Sequence, residues 1–103
     1  MAIRVSVLYP AAESARFDHA YYAATHMPMA GKLLKPVRYE VDRGLGGGAP
    51  GAPAPYVGGC HFWYESLADF QAAFGAAAAA LMADIPNYTD IKPVIQISEI
   101  VPQ

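Results

Sequence analysis

The stretch Phe17 to Pro28, FDHAYYAATHMP, decides how this chain is read. Asp18 is a good N-cap residue, with Phe17 before it and Tyr22 four residues into the helix, the spacing of a hydrophobic staple. A helix is therefore predicted to begin at His19. At 3.6 residues per turn, His19, Tyr22 and His26 share one stripe, while Ala20, Ala23, Ala24 and Met27 offer a small apolar surface suited to packing on a sheet. Met27 precedes Pro28 and is pushed away from helical geometry, so a kink or restart is expected before Met29 to Leu34 continues the helix. His26 then sits near a helix end, in a site shaped by a break. Two readings stand: a helix-end histidine bonding a backbone carbonyl, or a titrating group in a pocket.

Working outward, Ile3, Val5, Val7 and Tyr9 alternate with Arg4, Ser6 and Leu8, a strand with one apolar side that Pro10 ends. On the other flank, Val37, Tyr39, Val41 and Arg43 alternate with Arg38, Glu40 and Asp42, giving a second strand whose charged outward face suits a sheet edge. GLGGGAPGAPAP at 44 to 55 has the composition of a mobile hairpin loop. It is no phosphate cradle, because Tyr56 to Glu65 follows as a strand and not as a helix. That third strand carries Cys60, Phe62 and Tyr64 on one face and His61 and Trp63 on the other, and periodicity does not say which meets the helices. Ser66 caps a second helix with Asp69 three residues on, and Leu67, Phe70, Phe74, Ala77, Ala78 and Leu81 mark its buried face. Within it, Gly75 and the alanines at 76 to 80 suggest close approach to the sheet. DIPNYTD at 84 to 90 is an ordered loop, and Lys92 to Val101 is the last strand.

The order strand, helix, strand, strand, helix, strand is the ferredoxin-like βαββαβ unit, an α+β fold with two helices on one face of a four-stranded antiparallel sheet. One domain spans residues 1–103. Hydrophobic residues make up 54% of the chain and charged residues 16%, so the bare sheet face is expected to be buried against a second copy. The formal net charge of -2, with its charges scattered singly, speaks against nucleic-acid binding. Cys60 is alone and sits in an apolar strand, which reads as a buried structural thiol in the reducing cytoplasm. The chain opens into a strand without a signal-like segment, and no apolar run reaches the roughly 18 residues that span a bilayer. A cytoplasmic location away from membranes is expected.

Taken together, VLYP at 7 to 10, FDHAYYAATHMP at 17 to 28, the glycine-proline loop leading to Pro55 and Tyr56, the Ser-capped helix and DIPNYTDIKPVIQISEI at 84 to 100 resemble the EthD family of the dimeric α+β barrel superfamily. Met29 follows HMP where leucine is more usual, a volume-conserving change. The resemblance implies a homodimer with facing sheets and, in each protomer, a cavity between helices and sheet. It also implies a link to the degradation of ethers and other apolar compounds, in a superfamily of cofactor-free monooxygenases, cyclases, lactone isomerases and haem proteins.

The expected site is a pocket for a small hydrophobic, oxygenated molecule, lined by Tyr9, Phe17, Tyr22 and Phe62. His26, Asp84 and Tyr88 are its candidate catalytic residues. His26 would act as general acid or base, oriented by Asp84, and tyrosine hydroxyls would face a developing oxyanion. Asp84 is otherwise a helix C-terminal turn residue bonding backbone amides, and the tyrosines otherwise just satisfy their hydroxyls within the core. No cofactor is required. A non-haem metal is disfavoured, because His19 and His26 lie about 10 Å apart along a helix while metal bonds are about 2 Å. Haem through His26 alone stays open, as does an accessory protein that binds without turnover.

Overall fold

Strand β1 (Ile3–Pro10) is the middle of the molecule, paired antiparallel on one side with β3 (Tyr56–Tyr64) and on the other with β4 (Val94–Glu99). Strand β2 (Arg38–Arg43) adds antiparallel to β3, so the sheet runs β2-β3-β1-β4 with β2 at an edge, as its charged face predicts. These positions come from a computed structural model that describes residues 2–103. With a helical segment after β1 and another after β3, the chain has the predicted ferredoxin-like βαββαβ order. No helix among the described residues is long and apolar enough to cross a membrane.

Register settles the face of β3 that periodicity leaves open. Ile3 pairs with Tyr64, Val5 with Phe62 and Val7 with Cys60, so these side chains share the face under the helices. All but Val7 are buried, and each buried aromatic or aliphatic side chain contributes about 1.5–3 kcal/mol.

The first helix differs from the prediction. It does not kink at Pro28: α-helical His19–Tyr21 passes into a π-helical turn, Tyr22–His26, and then into α-helical Met27–Leu34. Met27 N–H bonds the carbonyl of Tyr22, five residues back. Pro28 explains this, since it has no N–H and its ring crowds the carbonyl four residues earlier. A wide turn ahead of it opens the ladder, and Pro28 then stands in the first turn of the following segment, where a missing N–H is harmless. His26 is consequently inside a continuous helix and not at its end. The predicted alanine face is also corrected, because Tyr22, His26, Met27, Ala30 and Leu34 turn inward while Ala20, Ala23 and Ala24 are exposed. The helix stops where Lys35 adopts left-handed geometry (φ 47°, ψ 51°) before Pro36.

The second helix, Leu67–Asp84, starts as read, with Ser66 Oγ accepting the Asp69 N–H at 3.1 Å. Phe70, Ala77 and Leu81 are buried, and Leu67, Phe74 and Ala78 partly so. Gly75 marks no tight contact, for a Cβ there would meet nothing within 4 Å. Close approach occurs instead at Gly31, where a Cβ would lie 2.7 Å from the Tyr39 ring.

The open face of the sheet is more polar than the composition suggests. It carries Arg38, Glu40, Asp42, His61, Arg4, Ser6, Gln96 and Ser98, with Leu8, Trp63 and Val94 among them. Arg38 stacks 3.6 Å over the Trp63 ring. Tyr39, Val41, Ile95 and Ile97 are exposed on the helix side of the two edge strands, because the helices cover mainly β1 and β3. The last strand is also shorter than expected, leaving Lys92 and Val101 outside it.

Candidate functional site

The loop after the second helix is fastened to the start of the first. Asp18 N–H donates to Tyr88 O (2.8 Å), and Thr89 Oγ1 donates to Arg16 O (2.6 Å). Arg16 in turn donates its N–H to Asp90 Oδ1 (2.9 Å) and its guanidinium to Pro86 O (2.7 Å). These bonds bring Asp84, the last residue of the second helix, and Tyr88 to the inward-facing stripe of the first.

There His26 Nδ1 lies 2.8 Å from Asp84 Oδ2. The other carboxylate oxygen accepts from Tyr21 Oη (2.8 Å) and Asn87 Nδ2 (2.9 Å), so Asp84 binds three side chains and not backbone amides. Burial alone would raise its pKa, but the hydrogen bonds from His26, Asn87 and Tyr21 together outweigh it and hold the carboxyl below its ordinary 3.8. An ionised Asp84 accepts from His26 Nδ1, so that nitrogen carries a proton. Tyr88 Oη is 3.3 Å from Nε2 and 2.5 Å from Tyr9 Oη. Tyr9, Tyr88, His26 and Asp84 therefore form one continuous hydrogen-bonded chain. Burial pushes Tyr9 up to about 12 and Tyr88 higher still, so both phenols keep their protons at neutral pH.

Beside this chain lies a cavity of about 80 Å³ between helices and sheet, with Tyr9, Tyr22, His26, Cys60, Phe62 and Leu81 among its walls. Of the predicted site residues, Tyr9, Tyr22, Phe62 and His26 line it directly. Tyr88 and Asp84 stand behind His26 and Tyr9. Phe17 is also one layer back, packing its ring at 5.0 Å from Tyr22, 5.1 Å from Tyr9 and 5.6 Å from Tyr88. Met82, Pro93 and Ile95 form the mouth, where Met82 is 57% and Ile95 44% exposed. Tyr22 Oη is a buried hydroxyl without a hydrogen-bond partner, a cost of about 1–3 kcal/mol.

Sequence reasoning missed three contributors. Tyr21 and Asn87 fix Asp84, and their signals were present in the paired tyrosines and in the three-residue spacing from Asp84 to Asn87. Cys60 is buried as expected, but it also lines the cavity, and burial pushes its thiol up to about 12. It is a neutral wall atom and not a nucleophile.

No group of three metal-ligating side chains occurs among the described residues. Haem fits poorly: the cavity is small, and His26 could offer a nitrogen to iron only by giving up Asp84 or Tyr88. A second chain, Ser6 Oγ to His61 Nδ1 (2.7 Å) and His61 Nε2 to Asp42 Oδ2 (2.8 Å), crosses the open face. It has the members of a hydrolytic triad but no oxyanion hole, because Ser6 lies in a central strand paired on both sides.

The fold and site define a ferredoxin-like α+β protein with a tyrosine-lined cavity backed by a His–Asp pair. The family model of the EthD domain matches residues 11–92, and the chain belongs to the EthD family. A crystal structure of an EthD-like protein from Ralstonia eutropha JMP134 is 48% identical and superposes with a TM-score of 0.92, covering 99% of this chain and 94% of that one. An ethyl tert-butyl ether D (EthD) family protein from Bacillus halodurans C-125 shares the fold at 20% identity and TM-score 0.68, over 98% of this chain and all (100%) of that one. A DABB family protein with a ferredoxin-like fold from Mesorhizobium loti MAFF303099 does so at 16% identity and TM-score 0.58, over 98% of each chain. No curated protein matches the chain.

Proposed function

We propose that this protein binds a small, apolar, oxygen-bearing molecule in the cavity and moves a proton at the carbon next to that oxygen-bearing centre, without a cofactor. One observation carries the reading: His26, held through Nδ1 by the Asp84 carboxylate, lines a hydrocarbon cavity edged by tyrosines. Such a histidine is a general base. In the proposed step, Nε2 takes a proton from carbon, directly or through the Tyr88–Tyr9 hydroxyls, and the electron pair moves onto the neighbouring carbonyl oxygen. Return of the proton to another carbon gives an isomer, and no oxidant is consumed. A tyrosine of the cavity wall, its phenol kept protonated by burial, is the donor for the transient oxyanion.

The molecule is proposed to work as a homodimer in the cytoplasm, in the catabolism of ethers or other apolar compounds. Support for pairing comes from the exposed Tyr39, Val41, Ile95 and Ile97 at the sheet edges. The second reading, a binding protein without turnover, draws on the fact that both His26 nitrogens already have partners. Native mass spectrometry of the untagged protein tests pairing and occupancy: a dimer carrying a small organic mass supports the proposal, and a clean empty monomer counts against it. A His26→Ala variant separates the two readings, since an enzyme keeps binding and loses turnover.

A further inference from the structure

One hydroxyl in the cavity makes no hydrogen bond of good geometry. Among the described residues, Tyr22 Oη is the buried side-chain polar atom left without a partner, although Tyr22 is only 1% exposed and lines the cavity. Its neighbours are committed elsewhere. The Tyr9 and Tyr88 hydroxyls bond each other, and Tyr88 also reaches His26 Nε2. The Tyr22 hydroxyl is the one on that wall that makes no such bond. The Cys60 thiol lies beside it, but sulfur is a weak acceptor. The rest of the lining is essentially hydrocarbon, with no lysine or arginine, so a carboxylate or phosphate would enter without a counter-charge.

We infer that Tyr22 Oη is the anchoring donor of the cavity and that its ligand is neutral and compact, with one carbonyl oxygen on Tyr22 and a hydrocarbon body towards Phe62 and Leu81. This rests on the ligand-binding reading above and adds the charge, polarity and orientation of the molecule. The first and last residues of the wide helical turn make this arrangement: the Tyr22 and His26 rings stack at 5.7 Å with 13° between their planes, which puts donor and base on one wall. Among oxygenated apolar molecules, ketones and lactones satisfy the description. Carboxylic acids do not.

The test uses cyclopentanone, its isosteric hydrocarbon methylenecyclopentane, and cyclopentanecarboxylate, each titrated into the wild type and into Tyr22→Phe. Wild type is expected to bind the ketone about tenfold more tightly than the hydrocarbon, the worth of one hydrogen bond of about 1.4 kcal/mol. The carboxylate is expected not to bind. Tyr22→Phe should remove the tenfold preference and leave hydrocarbon binding unchanged. Infrared spectra should show the bound carbonyl stretch shifted to lower frequency in wild type and restored in the variant. Tyr22→Phe should unfold at a temperature no lower than wild type, since it deletes an unsatisfied group. Equal weakening of ketone and hydrocarbon, an unmoved carbonyl stretch, tight carboxylate binding or a destabilised variant each overturns the anchor. Failure of wild type to bind either neutral probe overturns the ligand-binding reading itself.

Discussion

Asp84 Oδ2 lies 2.8 Å from His26 Nδ1, so two residues 58 positions apart in sequence form one hydrogen-bonded pair. Neither could be placed without the other: the wide turn aims the imidazole inward, and the loop clamped to Arg16 and Asp18 carries the carboxylate to it.

Replacing Asp84 with Asn removes the charged acceptor that selects the tautomer. Nitrogen-15 NMR of wild type is expected to show His26 protonated on Nδ1, and the variant to show a mixture. The lost charge-assisted bonds should lower stability in urea by about 1–2 kcal/mol. An unchanged ring-nitrogen spectrum would mean that another group sets the tautomer.

Acid stability follows from the same carboxyl. Its folded pKa is depressed below 3.8, so the group stabilises the fold fully above that value, and the increment is lost as pH falls through the lower folded pKa. Wild type should therefore lose stability more steeply than Asp84→Asn below about pH 4. Parallel pH profiles for the two proteins over that window would refute this assignment.

The Tyr9–Tyr88 bond joins β1 to the loop after the second helix across 79 residues. A double-mutant cycle of Tyr9→Phe and Tyr88→Phe should return a coupling of about 1 kcal/mol in unfolding free energy. A coupling near zero would show that the hydroxyls do not bond in solution.

Glycine in the two helices should behave oppositely by position. Gly75→Ala adds a methyl into open space and should stabilise by about 0.5–1 kcal/mol. Gly31→Ala should gain nothing, because the new methyl displaces the Tyr39 ring. Lys35→Gly, at the left-handed helix cap, should also stabilise by about 0.5–1 kcal/mol. Thermal or urea unfolding of the three variants checks all of them, and a gain at Gly31 matching that at Gly75 would contradict the packing described.

Much of this was legible in the chain. Alternation gave the four strands, Asp18 and Ser66 announced their helices, and Pro36 marked a stop, because these signals are local. The family resemblance added the pairing of His26 with the DIPNYTD loop. The wide turn was not legible: Pro28 signals trouble in the ladder, yet a kink and a π-helical turn relieve it equally well, and the choice depends on what the turn packs against. The alanine face was misread as well, for Ala20, Ala23 and Ala24 are exposed. The orphan hydroxyl of Tyr22 and the donors Tyr21 and Asn87 emerge only from distances. The apolar excess was real, but it sits at Ile95, Ile97, Tyr39 and Val41, because the width of two helices leaves the edge strands uncovered.

Proton transfer itself is measured by hydrogen exchange on the probe ketone. Cyclopentanone incubated with the protein in D₂O at neutral pH is followed by proton NMR at the carbons next to the carbonyl. Wild type should wash deuterium into those positions faster than buffer, and His26→Gln should slow the enzymatic rate by at least about 100-fold. If wild type binds the ketone yet exchanges its protons no faster than buffer, His26 is not a base towards this class of molecule, and the protein binds without turning over.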